Sequence, residues 1–357
     1  MDPLPSESTG SAAHHVDIDD DLAASAPTAT PDADAAESDA GHPTTYDADP
    51  NPSQTTHCTR PYAPSLPLVQ YALMIDAGST GSRIHIYKFH NCLATPSFEY
   101  EVFRMTQPGL SSYAGAPADA ARSLDVLLDA AARVVPEALR ACTPVAVRAT
   151  AGLRLLPGTQ SAEILAAVEA RIRGAYPFRL VDADGVAVMD GKDEGVYAWI
   201  TANYLMGTIK EGAAVGAGGP GTYAVLDLGG ASTQIVFEPL FEREGGEGLE
   251  EGEHKYDLKF AGRSHVLYQH SYLDYGLMRA RVHVHRLVEF MDSVRANGKE
   301  GGSAVVCNPC LAKGTRRGVQ IADEKSDEKR NVTMGGEDVG SFEGCNRLMQ
   351  LVLAKDA

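Results

Sequence analysis

Two stretches of the sequence contain the residue types that bind phosphate, and both follow one pattern. "YALMIDAGSTGSRIHIYKF", from Tyr71 to Phe89, and "YAVLDLGGASTQIVFEP", from Tyr223 to Pro239, run from an apolar strand through Asp into a turn of Gly, Ser and Thr. Counted from Asp76 and Asp227, Gly recurs at the second position, a hydroxyl residue at the sixth and Ile at the eighth. The two aspartates lie 151 residues apart, which favours duplicated lobes over a short-period solenoid.

Such turns can hold phosphate because glycine lets successive backbone N–H groups face one ligand. The hydroxyls add donors, and Arg83 adds a charge that can bind bidentately. An Asp at the end of each strand suits a hydrated divalent cation. The alternative is a pair of ordinary hairpin turns, in which Asp and Gly are common. Agreement at four positions favours the phosphate interpretation.

Other phosphate-binding motifs fit the sequence less well. A P-loop needs G-x-x-x-x-G-K-[ST] before a helix, whereas neither turn has that Lys and each precedes a strand. "GAGGPG", Gly216–Gly221, matches G-x-G-x-x-G, but it precedes a strand and places Pro220 where the helix would begin. We interpret it as a linker.

A third constellation is "GKDEGVYAWITANYLMG", from Gly191 to Gly207, which predicts a helix. Asp193 and Glu194 fall near its start, where acidic residues also suit the helix dipole, so capping and chemistry both stay open. The helical spacing predicts a buried stripe of Tyr197, Ile200, Tyr204 and Leu205.

The elements that position these residues are mixed strands and helices, which indicate an α/β fold. After the first hairpin, the patterns predict a helix at Ala118–Val135, a strand at Val145–Ala149 with a turn at Thr150–Gly152, a helix at Ser161–Arg173, a strand in "VAVMD" and a helix at Asp193–Leu205. A Gly-rich connector at Gly212–Gly221 leads to the second half of the chain. There the patterns predict the second hairpin, an acidic loop at Glu242–Glu253 and helices around Leu277–Ala296.

Charge is concentrated at the start of the chain. The net charge is −17, and residues 1–59 hold 12 of the 48 acidic residues and no Lys or Arg. A chain so poor in basic patches is not expected to bind nucleic acid. Residues 1–57 have almost no large apolar residues, so we predict a disordered acidic stem, with order beginning near Leu66. The sequence shows neither a signal peptide nor a run of about 18 apolar residues that would predict a membrane span.

The six cysteines allow three disulfides and favour a secretory compartment. "CNPC", Cys307–Cys310, is compatible with redox chemistry, but its Gly-rich setting favours a local structural disulfide. Asn331 begins a glycosylation sequon that we place in a surface loop. His283 and His285 lack metal-site spacing and are expected on a helix surface.

Four segments together resemble the apyrase, or nucleoside triphosphate diphosphohydrolase, family. They are "DAGSTGSR", "ATAGLRLL", "GKDEGVYAWITANYL" and "DLGGASTQIVFEP", in the order of the family's motifs. "QPGLSSYA" and "CTPVAVRATAGLRLLP" resemble the fungal guanosine-diphosphatase branch of that family. The resemblance implies an actin-like (ribonuclease-H-type) α/β fold of two lobes, 58–215 and 216–357, with duplicated phosphate-binding hairpins and the nucleotide in the cleft between the lobes.

The resemblance also implies a role for each matching residue. Asp76 and Asp227 would hold a divalent cation (Mg²⁺, Mn²⁺ or Ca²⁺) through its waters. Glu194 would be the general base, with Ser232 and Gln234 orienting the attacking water. The residues implied in phosphate binding are Gly78, Ser79, Thr80, Gly81, Ser82, Arg83, Thr150, Gly229, Gly230, Ala231, Ser232 and Thr233. The implied reaction is hydrolysis of a nucleoside diphosphate, GDP or UDP, by an enzyme of the Golgi lumen.

Two departures from the family pattern are expected to matter. The fifth family motif would lie past residue 357, so we expect an incomplete second lobe and a base-binding part that is missing. The family's Golgi members are type II membrane proteins, and no N-terminal membrane anchor is found in this sequence. The alternatives are a non-catalytic nucleotide-binding fragment and another actin-like phosphatase or kinase.

Overall fold

The structure is a computed structural model that describes residues 41–182, 184–209, 221–239, 249–295, 305–322, 329–336 and 341–354. Its strands are β1 (Val69–Ala77), β2 (Ser82–His90), β3 (Ser97–Thr106), β4 (Pro144–Ala149), β5 (Arg179–Leu180), β6 (Val186–Val188), β7 (Val225–Leu228), β8 (Ser232–Phe237), β9 (Lys255–Phe260), β10 (Arg263–Leu273), β11 (Val306–Cys307), β12 (Arg316–Ala322) and β13 (Lys329–Gly335). Its α-helices are α1 (Pro117–Ser123), α2 (Asp125–Val134), α3 (Glu137–Arg140), α4 (Ala151–Arg154), α5 (Gln160–Ala175), α6 (Gly191–Leu205), α7 (Leu277–Arg295) and α8 (Phe342–Leu353). The predicted α/β fold class is confirmed.

The chain forms two compact units whose ranges interleave. The larger unit comprises Asp39–Gly191, Leu228–Thr233 and Tyr272–Ala357, and the smaller unit contains Lys192–Asp227 and Gln234–Ser271. The predicted lobe boundary between residues 215 and 216 lies outside the described residues, as does the predicted connector except for Gly221. The division into lobes, and with it the actin-like arrangement, therefore stays a prediction.

The main sheet of the larger unit has the order β3-β2-β1-β4-β5, with β6 also paired to β4. The hairpin of β1 and β2 is antiparallel, and β4 runs parallel to β1. On β2 the apolar residues Ile84 and Ile86 are fully buried, as their alternation with His85 and Tyr87 predicts. The core between this sheet and its helices includes Ile75, Leu128 and Ile164.

The helix predicted at Ala118–Val135 is instead two helices, α1 and α2, that meet at Leu124. The Ser123 hydroxyl donates to the carbonyl oxygen of Ala120 at 2.7 Å. The Leu124 N–H, which would bond that carbonyl in a continuous helix, instead bonds Ala121. A serine that competes for a backbone acceptor thus breaks the helix, as this residue type tends to do.

The sheet of the smaller unit has the order β7-β8-β10-β9 and contains the second hairpin. Helix α6 packs on it through Val196 and Trp199, which are fully buried. The predicted buried stripe of α6 is wrong, because Tyr197, Tyr204 and Leu205 are exposed, Leu205 by 73%.

At the end of β8, a hydrogen bond of 3.1 Å from His265 lowers the pKa of Glu238.

A third sheet, of order β11-β13-β12, packs with α7 and α8 in the larger unit. The predicted disulfide within "CNPC" is wrong, because Cys310 is bonded to Cys345 and Cys307 is free. The predicted loop at Asn331 is also wrong, since this exposed residue lies on β13. On α7, His285 is buried rather than on the surface.

Residues 41–57, which the sequence assigns to the disordered stem, are ordered and pack on the first hairpin. A 3₁₀ turn spans Tyr46–Ala48, and Asp49 accepts hydrogen bonds from Lys88 at 2.7 Å and Tyr100 at 2.8 Å. A disulfide joins Cys58 to Cys92. The prediction missed this segment because polar contacts, a disulfide and the packing of a single tyrosine, Tyr46, on the core hold it without a run of large apolar residues.

No helix among the described residues combines the length and the apolar composition that a membrane span requires.

Gly152→Ala is expected to lower the free energy of unfolding by about 1–3 kcal/mol, the usual cost of overpacking. An alanine Cβ there would lie 2.8 Å from Ser79 Cα, which is backbone and cannot turn aside. Gly174→Ala is the matched control, because Gly174 is also helical and has no atom within 4 Å of the added Cβ. Denaturant unfolding should show no loss, or a gain of up to about 1 kcal/mol, for Gly174→Ala. Equal effects of the two changes would contradict the close packing at Gly152.

Candidate active site

The first predicted phosphate turn, Gly78–Gly81, joins β1 to β2 in the larger unit. Ser79 is partly exposed and Thr80 is exposed, so both hydroxyl residues can reach a ligand. Ser82 is fully buried, and its Oγ has no hydrogen-bond partner among the described residues. In this conformation Ser82 could therefore contact a phosphate only through its backbone N–H, and not through its hydroxyl.

Three glycines from other parts of the larger unit lie against this turn. A Cβ on Gly109 would lie 2.5 Å from the Gly78 oxygen, and one on Gly230 would lie 2.5 Å from Ser79 Oγ. A Cβ on Gly152, in α4, would lie 2.8 Å from Ser79 Cα. The contact between Gly230 and Ser79 brings the two predicted phosphate turns together.

Thr150 stands where β4 passes into α4, and not in the simple turn predicted from the sequence. Its N–H donates to the carbonyl oxygen of Ala77 at 3.2 Å, which ties the end of β4 to the start of the first turn. The side chain is partly exposed. Its place supports the predicted ligand contact.

The second turn, Gly229–Thr233, is held by the segment that leads into α7. The Leu277 N–H donates to the Gly229 oxygen at 2.9 Å, and the Met278 N–H donates to the Gly230 oxygen at 2.9 Å. The Ala231 oxygen accepts from the Asp274 N–H at 2.9 Å. Three successive carbonyl groups of the turn are therefore directed at one segment of the chain.

The two aspartates predicted to bind metal occupy equivalent places in their hairpins. Asp76 is one residue from the end of β1, and Asp227 is one residue from the end of β7. Arg83 Nη1 donates to Asp76 Oδ2 at 2.9 Å, so the arginine predicted to bind phosphate is paired with a predicted metal ligand. Both carboxylates are partly exposed, and carboxylate oxygen is the ligand type that a hard divalent cation prefers.

Glu194 and Gln234, 40 residues apart in sequence, meet in the smaller unit. Gln234 Nε2 donates to Glu194 Oε2 at 3.2 Å and to Ser271 Oγ at 3.1 Å. Gln234 lies on the buried face of β8 with Ser232 and is 2% exposed. A buried amide therefore fixes the orientation of the predicted general base.

Sequence reasoning missed two residues that create this contact. A Cβ on Gly195 would lie 2.8 Å from Val236 Cγ2 and 3.1 Å from Gln234 Cβ, so only glycine lets α6 approach β8 this closely. Ser271, near the end of β10, holds the Gln234 amide from a neighbouring strand. The glycine after Glu194 in "GKDEG" was a visible signal for the first, whereas Ser271 has no local signal.

Comparisons with known proteins identify the family of this chain. The chain belongs to the GDA1/CD39 (nucleoside phosphatase) family, which it matches over residues 67–357. This confirms the resemblance that the four motifs indicated.

Curated relatives in fungi are similar over most of this chain. A probable guanosine-diphosphatase of Aspergillus fumigatus is 47% identical over 319 residues, covering 84% of this chain and 62% of the relative. The guanosine-diphosphatase of Saccharomyces cerevisiae is 46% identical over 293 residues, covering 81% of this chain and 55% of the relative. The chain thus spans between half and two thirds of the length of these relatives.

A solved structure of nucleoside triphosphate hydrolases from Neospora caninum is also similar, with a TM-score of 0.48 and 18% identity. The similarity covers 71% of this chain and 52% of that one.

Ser271→Ala is expected to lower the free energy of unfolding by about 0.5–1.5 kcal/mol, because the buried Gln234 amide loses a hydrogen-bond partner. Ser264→Ala is the matched control, since Ser264 is an exposed serine on the same strand, and its effect should stay within about 0.5 kcal/mol. The measurement is denaturant unfolding of both variants. A Ser271 effect no larger than that of Ser264 would contradict the role given to this hydrogen bond.

Proposed function

We propose that this chain hydrolyses nucleoside diphosphates, GDP or UDP, to the monophosphate and phosphate by direct attack of water on the terminal phosphorus. The observation on which this chiefly rests is the hydrogen bond of 3.2 Å between Gln234 and Glu194. It brings together a carboxylate and an amide that are suited to activate and orient a water molecule. The guanosine-diphosphatase names of the fungal relatives support GDP as a substrate.

Glu194 is proposed as the general base. A carboxylate with an ordinary pKa is ionised at neutral pH and can accept a proton from the attacking water. Gln234, held from the other side by Ser271, keeps the carboxylate in one orientation. Ser232, which shares the buried face of β8 with Gln234, is proposed to help position the water.

The two turns are proposed to bind the phosphates. Ser79 and Thr80 supply hydroxyl donors, and the backbone of Gly230–Thr233 supplies N–H donors. Positioning of this kind accounts for most of the catalysis in phosphoryl transfer, because little covalent assistance is needed.

Asp76 and Asp227 are proposed to hold the divalent cation on which the family depends, Mg²⁺, Mn²⁺ or Ca²⁺. When bound, such a cation neutralises phosphate charge. The protein's own part is to present two oxygen ligands at strand ends, with Arg83 holding one carboxylate oxygen of Asp76 in place.

We also propose that the protein works in the Golgi lumen, where it would supply nucleotide turnover for glycosylation. The disulfides Cys58–Cys92 and Cys310–Cys345 support an oxidising compartment. The exposed Asn331 sequon is compatible with a glycoprotein.

A phosphate-release screen over GDP, UDP, ADP, GTP and polyphosphate separates this proposal from its alternatives. Release from diphosphates supports the proposed enzyme, and release from polyphosphate alone would support another phosphatase class. Nucleotide binding without release would support a non-catalytic fragment. Transfer to a small molecule instead of water would indicate a kinase.

Glu194→Gln is expected to lower kcat for GDP by about 10²–10⁴-fold, because the general base is lost. Nucleotide binding should stay measurable by calorimetry. Asp193→Asn is the matched control on the same helical turn and should leave kcat little changed. Activity of Glu194→Gln within a few-fold of the unaltered protein would exclude Glu194 as the base.

Removal of divalent cations by a chelator should stop phosphate release, and added Mg²⁺, Mn²⁺ or Ca²⁺ should restore it. Asp76→Asn and Asp227→Asn should each raise the cation concentration needed for half-maximal activity, because each removes one charged ligand. Asp257→Asn, at an exposed aspartate of β9, serves as the control. Full activity of the chelated protein would disprove the metal role.

A further inference from the structure

Away from the candidate active site, two histidines and a glutamate converge in the larger unit. His57, His90 and Glu99 present ligand atoms that all lie within 4.8 Å of one another. His90 ends β2, Glu99 is near the start of β3, and His57 belongs to the segment that precedes β1. We call these three residues the His-His-Glu cluster.

A β-bulge turns Glu99 into the interior. Lys88 pairs with Tyr100 and Phe89 pairs with Phe98, so Glu99 is an extra residue that faces no partner across the ladder. Both Glu99 and Tyr100 are buried, which breaks the alternation of β3. Bulges commonly redirect a side chain in this way at functional positions.

The Glu99 carboxylate is only half satisfied. Its side chain is 1% exposed and its Oε2 pairs with Lys88 Nζ at 2.8 Å. Its Oε1 is buried and has no hydrogen-bond partner among the described residues. A buried polar atom in this state is costly, so the lack of a partner for Oε1 among the described residues calls for an explanation, and a bound ion is one such explanation.

The charges around Glu99 call for a cation. The Lys88 ammonium has three N–H donors, and they are used by Asp49 at 2.7 Å, the Gln54 carbonyl at 2.7 Å and Glu99. Two buried carboxylates therefore share one ammonium, before any charge on the neighbouring histidines is counted. Burial of an uncompensated charge is expensive, and a bound cation would offset it.

The histidines supply the remaining ligands, and a disulfide positions them. The rings of His57 and His90 stack with centroids 4.3 Å apart. Cys58, next to His57, is bonded to Cys92, two residues beyond His90. The disulfide thus holds His57 beside the end of β2.

We propose that the His-His-Glu cluster binds a divalent transition metal of the zinc type. Two imidazoles and one carboxylate are a ligand set that zinc takes, whereas Mg²⁺ and Ca²⁺ prefer oxygen alone. Zinc bonds of about 2.0–2.2 Å place ligand atoms about 3.4 Å from one another. The separations between the three ligand atoms, which lie within 4.8 Å, would therefore have to shorten when the ion binds. The movement would fall to the exposed His57, whose ring would have to leave its stacked position between His42 and His90.

The site would fasten the segment of residues 41–58 to the first hairpin. A metal bound only by the folded state stabilises it by an amount that grows with the logarithm of the metal concentration relative to its Kd. The inference does not depend on the proposed enzyme activity, because none of the three residues belongs to the candidate active site.

The test is zinc stoichiometry in the chain of residues 1–357 with Cys142→Ser and Cys307→Ser, which removes the two free cysteines as competing ligands. After exposure to zinc and dialysis against excess Mg²⁺, elemental analysis should find about one zinc per chain. His57→Ala and His90→Ala should each weaken zinc binding by at least about tenfold. Zinc should raise the melting temperature of the parent chain but not that of His57→Ala.

His85→Ala is the matched control. His85 also lies on β2 and pairs with a glutamate of β3, Glu101, at 2.6 Å, but it is outside the cluster. This variant should keep its zinc. If His90→Ala fails to fold by circular dichroism, the exposed His57 decides the result. The proposal is overturned if the parent chain holds no stoichiometric zinc, or if His57→Ala retains as much zinc as His85→Ala.

Discussion

The close packing of backbone around Ser79 is the constraint on which the candidate active site depends. Gly109, Gly152 and Gly230 come from three separate parts of the chain, and each approaches the first turn to a distance that no Cβ allows. The glycines of "QPGL", "ATAGL" and "DLGGA" therefore share one physical reason, since each motif must lie against the same turn. The conformation of the first turn and the packing of these three motifs are set by the same contacts, so neither can change alone.

The sequence predicted those parts of the fold that depend on local patterns. Alternation located β1 and β2, and the repeat of Asp, Gly, hydroxyl and Ile identified two hairpins that the structure contains. It was less successful where a side chain competes with the backbone, as Ser123 does at the break between α1 and α2. It also chose the wrong face of α6, because two tyrosines fit a helical stripe while their rings face solvent. Disulfide pairing failed for a related reason, since Cys310 meets Cys345 only through tertiary packing.

In the candidate site, too, the sequence predicted the residues but not the tertiary contacts between them. The sequence named Glu194 and Gln234, and the structure places them at hydrogen-bond distance. What it could not provide was the means of bringing them together, which is the missing Cβ of Gly195 and the hydroxyl of Ser271. The glycine of "GKDEG" is visible in the sequence, but the strand that it must approach is not, and Ser271 has no local signal at all. The sequence also did not predict the hydrogen bond from Arg83 to Asp76. This bond competes with the phosphate contact that the motif implies for Arg83.

The three carbonyl groups of Gly229, Gly230 and Ala231 that accept bonds from the start of α7 have a consequence for the opposite side of their peptides. In a planar trans peptide the N–H points away from the C=O, so the N–H groups of Gly230 and Ser232 are turned away from the groups that donate to Gly229 and Ala231. Folding alone thus fixes the direction of this row of dipoles. An anion that binds there would meet a preorganised electrostatic environment, and little reorganisation energy would be needed when charge develops on it.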